Sequence, residues 1–142
     1  MNGPSTNLSW KELACKDGSP YPEQWRTSRA IALSSVFELI RSECGHKPIT
    51  ILSAYRSESW NKKIGGARFS QHKEGRALDL RPPKGMSVDK FHWLIKDLAR
   101  ITSIRGIGKY KTFVHVDIRP SDRLVVWSGS GVKDSGTKDS QS

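Results

Sequence analysis

The stretch FVHVDIRP, residues 113–120, alternates apolar and polar side chains with a period of two. Val114, Val116 and Ile118 fall on one face, and His115, Asp117 and Arg119 fall on the other. Only an extended strand separates the two sets in this way, because successive side chains on a strand point to opposite faces. Its apolar face has to be covered by other elements, so the chain needs a sheet with something packed against it. Pro120 has no N–H to give to a ladder and ends the strand or places it at an edge. From the pattern alone, the polar row is either a functional row or a solvated one.

The rest of the chain supplies the cover. Within residues 22–44, Trp25, Ile31, Val36, Phe37 and Ile40 recur at spacings that suit one helical face. Pro22 suits a first helical turn, Glu23 suits its dipole, and Gly45 suits a C-terminal cap. Ser87 can cap a second helix running to about Arg100, with Phe91, Leu94, Ile95 and Leu98 as its apolar stripe and His92 beside it. Residues 57–64 allow a short helix that Gly65 and Gly66 end. KPITILSAYRS reads as a strand covered on both faces, and LVVW at 124–127 as a further strand. The glycines of SIRGIGKY fall at bend-like positions. Together these predict an α+β domain, a small, mainly antiparallel sheet packed with helices. Residues 1–20 read as an N-terminal extension with one helical turn, 21–127 as the domain, and 128–142 as a flexible tail.

The 142 residues suffice for one domain with a modest core. No apolar run approaches the ~20 residues of a membrane helix. The N-terminus has no basic start followed by an apolar stretch, so no ordinary secretory leader is expected and any export would need another route. Cys15 and Cys44 permit at most one disulfide, and buried or incidental thiols are the simpler reading. The formal charge of +10, from 24 Lys and Arg against 14 Asp and Glu, favours acidic partners. Nucleic acid is disfavoured among these, because no helix-turn-helix or zinc-finger spacing accompanies the charge.

The second chemically informative stretch is SQHKEGRALDL, residues 70–80. His72 and Asp79 carry donor atoms that zinc accepts, and zinc sites that bind water commonly use three protein ligands. Gly75 lets the intervening loop fold back. The spacing by itself leaves an ordinary polar loop as the alternative. His115 adds a second strand-borne imidazole, and Asp117 points the same way.

Four segments, SAYRS (53–57), GGARFSQHKEGRALDL (65–80), GIGKY (106–110) and FVHVDIR (113–119), resemble in content and order the zinc-dependent peptidases of the D-alanyl-D-alanine carboxypeptidase and cell-wall endopeptidase group, which share a core with the hedgehog signalling domain. The resemblance spans roughly residues 20–127, and the form Ser70, His72, Gly75, Ala77, Asp79 is its most specific part. It implies one zinc ion held by His72, Asp79 and His115, with a zinc-activated water attacking an amide carbonyl. It also implies that Arg56 binds a peptide carboxylate or supports the developing oxyanion, and that Ser70 is a supporting or substrate-facing hydroxyl. Several members of the wider family place Glu or Asp three residues before the second histidine, where this chain has Thr112. Asp117 is the local substitute as general base, or else a partner that orients His115.

The function expected is zinc-dependent hydrolysis of peptidoglycan stem peptides or crosslinks, by an endolysin or other cell-wall endopeptidase. The alternative is an inactive zinc-containing wall-binding or structural module, which the threonine at 112 favours. The basic surface suits anionic wall polymers. A monomer acting at the bacterial wall is expected, phage-encoded and released through lysis or carried by a virion, or a bacterial wall enzyme.

Overall fold

The computed structural model describes residues 2–129. Five strands form one sheet: β1 (Ile51–Ser53), β2 (Ala77–Leu80), β3 (Gly106–Lys109), β4 (Val114–Asp117) and β5 (Val125–Ser128), in the order β1-β2-β4-β3-β5. Every neighbouring pair is antiparallel except β3 and β5, which run parallel. Four helices accompany the sheet: α1 (Trp10–Leu13), α2 (Arg29–Glu43), α3 (Glu58–Lys63) and α4 (Val88–Leu98). The result is the small α+β domain with a mixed, mainly antiparallel sheet that the sequence predicts, and no helix among the described residues is long and apolar enough to cross a membrane.

The register of the sheet sorts chemistry from packing. Leu78 faces Val116 and Leu80 faces Val114 across β2 and β4, while Ala77 faces Asp117 and Asp79 faces His115. The first set joins Ile107, Leu33, Phe37 and Ile40 of α2, and Phe91 and Ile95 of α4 in one buried core. Each such side chain, fully removed from water, contributes about 1.5–3 kcal/mol. The second set lies on the opposite face, where the core helices leave room for polar groups.

Two sequence expectations shift. The helix expected from Pro22 is broken: residues 23–25 form one 3-10 turn, and α2 starts at Arg29. The turn aims Trp25 into an aromatic cluster, with ring centroids 6.3 Å from Tyr21 and 6.2 Å from Tyr55. Breaking the chain there resets the helical phase, so α2 buries Ala30, Leu33, Val36, Phe37 and Ile40 and leaves Ile31 46% exposed.

The boundary at residue 20 also moves. Leu8 and Leu13 sit in the main core. Glu38 on α2 accepts from Ser5 Oγ at 2.6 Å and from the Asn7 backbone and side-chain nitrogens at 2.7 and 2.8 Å. Ser9 and Glu12 cap α1 reciprocally, and the Tyr55 N–H donates to the Leu13 carbonyl, which ties α1 to the end of β1. These residues belong to the packed body. Of the tail expected from residue 128, Ser128 closes β5, and residues 130–142 lie outside the described part.

Candidate metal centre

His72, Asp79 and His115 reach one point from three different elements. Asp79 comes from β2 and His115 from its neighbour β4, directly opposite each other. His72 comes from the loop between α3 and β2. The backbone of His72 is held on both sides: the Arg56 N–H donates to its carbonyl at 3.1 Å, and its own N–H donates to Ser70 Oγ at 3.1 Å. Gly75 turns the loop back with φ 67°, and Tyr21 Oη donates to its carbonyl at 2.7 Å. A Cβ at position 75 would fall 2.7 Å from the Trp25 ring and 2.8 Å from Tyr21 Oη, so glycine is needed there for space as well as conformation.

Asp79 Oδ1 lies 3.1 Å from His72 Nε2 and 3.0 Å from His115 Nδ1. The far ring nitrogens have acceptor-only partners. His72 Nδ1 is 2.7 Å from the Ala54 carbonyl, and His115 Nε2 is 2.7 Å from Asp117 Oδ2. A carbonyl or carboxylate there keeps a ring hydrogen on the far nitrogen, so that in the neutral ring the lone pair of the near nitrogen is directed toward Asp79. Three electron-pair donors, two imidazole nitrogens and one carboxylate oxygen, therefore converge, all within 4.8 Å of one another. Such a set fits zinc by number and by atom type.

Charge supports the fit. Burial works against a charged His115, but its hydrogen bonds to Asp117 and Asp79 outweigh it and push the ring up to about 9. Burial also works against the Asp79 carboxylate, yet His72 and His115 hold it below the usual range. A spot that keeps a proton against burial is one that attracts a cation.

The other expected site residues take distinct places. Asp117 does not face the convergence point. Its Oδ2 meets His115 Nε2 and, at 2.7 Å, Arg119 Nη2; its Oδ1 accepts from Arg119 Nε at 2.8 Å and from the Arg119 N–H at 3.1 Å. Burial would raise its pKa, but Arg119 and His115 keep it well below the ordinary carboxylate value. Arg56 is enclosed at 1% exposure, with Nε 3.3 Å from Ser53 Oγ, Nη1 3.3 Å from Asn61 Oδ1 and Nη2 3.5 Å from Asp79 Oδ2. Ser70 is enclosed too, and its hydroxyl is turned to the His72 backbone. Thr112 is exposed, and His92, half-buried on α4, lies outside the donor cluster.

Several residues join the site unannounced. The glycines of GIGKY, expected at bends, are strand residues of β3 that open windows in the site face. Gly106 faces Asp117 and Gly108 faces His115. A Cβ at 106 would collide with the Asp117 carboxylate, and one at 108 would fall 2.5 Å from Trp127 Nε1. Trp127, brought across Gly108 by the parallel pairing of β5, lies with its ring 5.2 Å from that of His115. Its N–H donates to Tyr110 Oη at 3.0 Å, and the Arg119 guanidinium sits 5.2 Å over its ring. Asn61, holding Arg56, is the fourth. In the sequence, the alternation of GIG with the polar row of β4 carries a signal for the two glycines; Trp127 and Asn61 carry none, because their roles depend on sheet order and loop packing.

The fold and the buried His-Asp-His donor set together define a metallopeptidase-type centre. The sequence pattern of the Peptidase M15 family matches residues 6–117, and the chain belongs to that family. Over 56 residues it is 43% identical to the "Zinc D-Ala-D-Ala carboxypeptidase" of Streptomyces albus G, an alignment covering 38% of this chain and 22% of that protein. The matched part is thus about a fifth of the relative's length.

Proposed function

We propose that this chain is a zinc-dependent peptidase that hydrolyses an amide bond in peptidoglycan peptides, acting at the bacterial cell wall. The carrying observation is the convergence of His72 Nε2, Asp79 Oδ1 and His115 Nδ1, with each imidazole oriented from behind. Family membership and the Streptomyces relative's name support the reaction class. His72, Asp79 and His115 would hold the ion. Zinc bound there supplies Lewis-acid polarisation of the scissile carbonyl and a more acidic water.

The protein's own groups prepare that chemistry. The Ala54 carbonyl and Asp117 fix the two ring tautomers, and Arg119 clamps Asp117. Of the two roles the sequence leaves to Asp117, its contacts support the orienting one more than the general-base one. Both its oxygens are engaged, it stands behind His115, and its affinity for a proton is depressed. Arg56 balances the charge of Asp79 from the side away from the imidazoles. At 1% exposure it is poorly placed to grip a substrate carboxylate directly.

The test is incubation of the zinc-loaded protein with purified peptidoglycan and mass spectrometry of the released fragments. New amino and carboxyl termini name the bond. Alanine at His72, Asp79 or His115 should abolish both stoichiometric zinc and cleavage. Stoichiometric zinc without new termini would leave the chain a zinc-binding module, and unchanged zinc in all three folded variants would overturn the site.

A further inference from the structure

We infer that the basic pocket beside α3 holds a carboxylate of the peptide substrate, an inference that rests on the peptidase reading above. The pocket has a volume of about 330 Å³ and is lined by Glu58, Asn61, Lys62, Gly66, Arg68 and Lys73. Three cations thus face one acid. Glu58 is engaged by Lys73 at 2.7 Å, while among the described residues neither Lys62 nor Arg68 forms an ion pair. Both also act on Glu58 at longer range, so the pocket carries positive charge in excess, which favours an anion.

The pocket is joined to the metal centre through two buried side chains, Asn61 and Arg56. Asn61 is 3% exposed and lines the pocket; its Oδ1 accepts from Arg56 Nη1 at 3.3 Å and its Nδ2 donates to the Ala67 carbonyl at 2.9 Å. A Cβ at Gly66 would collide with the Asn61 side chain, so the glycine lets the loop close against it. Arg56 in turn faces Asp79. Asn61 and Arg56 therefore link an anion in the pocket to the centre. Arg56 is enclosed, whereas Lys62 and Arg68 are exposed. Phe69, 80% exposed beneath the Arg68 guanidinium at 5.2 Å, puts an apolar surface next to these charges. Charge beside an aromatic face, in one concave site linked to the centre through Asn61 and Arg56, matches an acidic peptide better than a phosphate polymer, which needs a continuous basic track.

The probe is a synthetic tetrapeptide of L-Ala, D-Glu, L-Lys and D-Ala, in three forms: both carboxylates free, the glutamate carboxyl amidated, or the C-terminus amidated. Binding to the zinc-loaded protein is measured by calorimetry at fixed ionic strength, with cleavage followed separately by mass spectrometry. Lys62→Glu combined with Arg68→Glu should weaken binding of the free acid by about tenfold or more, since like charges then meet. In the wild type, one of the two amidations should cause a similar loss and identify the carboxylate, and in the variant that amidation should cost nothing further. Lys62→Met with Arg68→Gln, which removes charge without reversing it, should give a smaller loss and guards against misfolding. Equal binding of all three peptides by the wild type, no binding at all, or charge-reversed protein that binds as the wild type does would overturn the pocket. Peptide bound with the expected pattern but never cut would uphold the pocket and overturn the peptidase reading.

Discussion

His115 depends on a chain of contacts behind it: Asp117 on its Nε2, Arg119 around Asp117, and Trp127 against both the imidazole and the guanidinium. Asp117→Asn is the sharpest probe. An amide offers the ring an N–H as readily as an oxygen, loses the negative charge, and breaks the paired contact with Arg119. Removal of such a supporting carboxylate commonly costs about 10–100-fold in metal affinity. The expected outcome is therefore a zinc site that still fills at saturating metal but yields it to a chelator 10–100 times more readily. Chelator competition at fixed pH reads this directly. An unchanged zinc affinity with a large loss of rate would return Asp117 to the general-base role.

The strands and helices place those residues through two kinds of fitting. One is the glycine face of β3, which makes room for Asp117 and Trp127. Gly106→Ala should push the Asp117 carboxylate off His115 and cost about 1–3 kcal/mol as an overpacked contact. Gly108→Ala should displace Trp127 instead, changing its fluorescence while leaving Asp117 in place. Urea unfolding with tryptophan emission separates the two, and identical behaviour of both variants would contradict the assignment of the windows. The other fitting is the latch of Glu38 on Ser5 and Asn7. Burial would raise the Glu38 pKa, but those hydrogen bonds lower it below its ordinary value near 4.5. With the folded value depressed, the latch contributes its full stability above the unfolded value and loses it as pH falls through the folded one. Protection of the Asn7 amide, taken relative to its intrinsic exchange rate, should therefore fall as pH drops below the ordinary value of 4.5, well before the sheet opens. Glu38→Ala should show fast exchange at every pH and lose about 2–3 kcal/mol of stability.

Across the whole molecule, what the sequence made legible is what repeats locally. The alternation at 113–119 leads to β4, and the motif segments that carry the family resemblance lead to the donor set, because strand period and motif are properties of short stretches. Ile31 pointed the wrong way because a break at residues 26–28 resets the helical phase, and no nearby pattern announces it. The direction of Asp117 was half legible: Arg119, two residues on, shares its face, so a pair could be anticipated, but the competition between Arg119 and the convergence point is a matter of distances. The formal charge of +10 is legible at once and has no address in any one element. Under the proposed function it would supply a long-range attraction for acidic wall material, which salt screens over ~10 Å at 0.1 M. Binding of the protein to sacculi that retain their anionic polymers should therefore weaken steeply as salt rises, while zinc content stays fixed and cleavage of a short soluble peptide declines far less. The contrast matters because the pocket beside α3 is also basic: screening there would act on peptide KM, whereas loss of wall attraction acts on retention by the sacculus. Co-sedimentation and peptide kinetics over the same salt series separate them. Retention that holds constant from low to high salt would remove the net charge as the means by which this domain finds its wall.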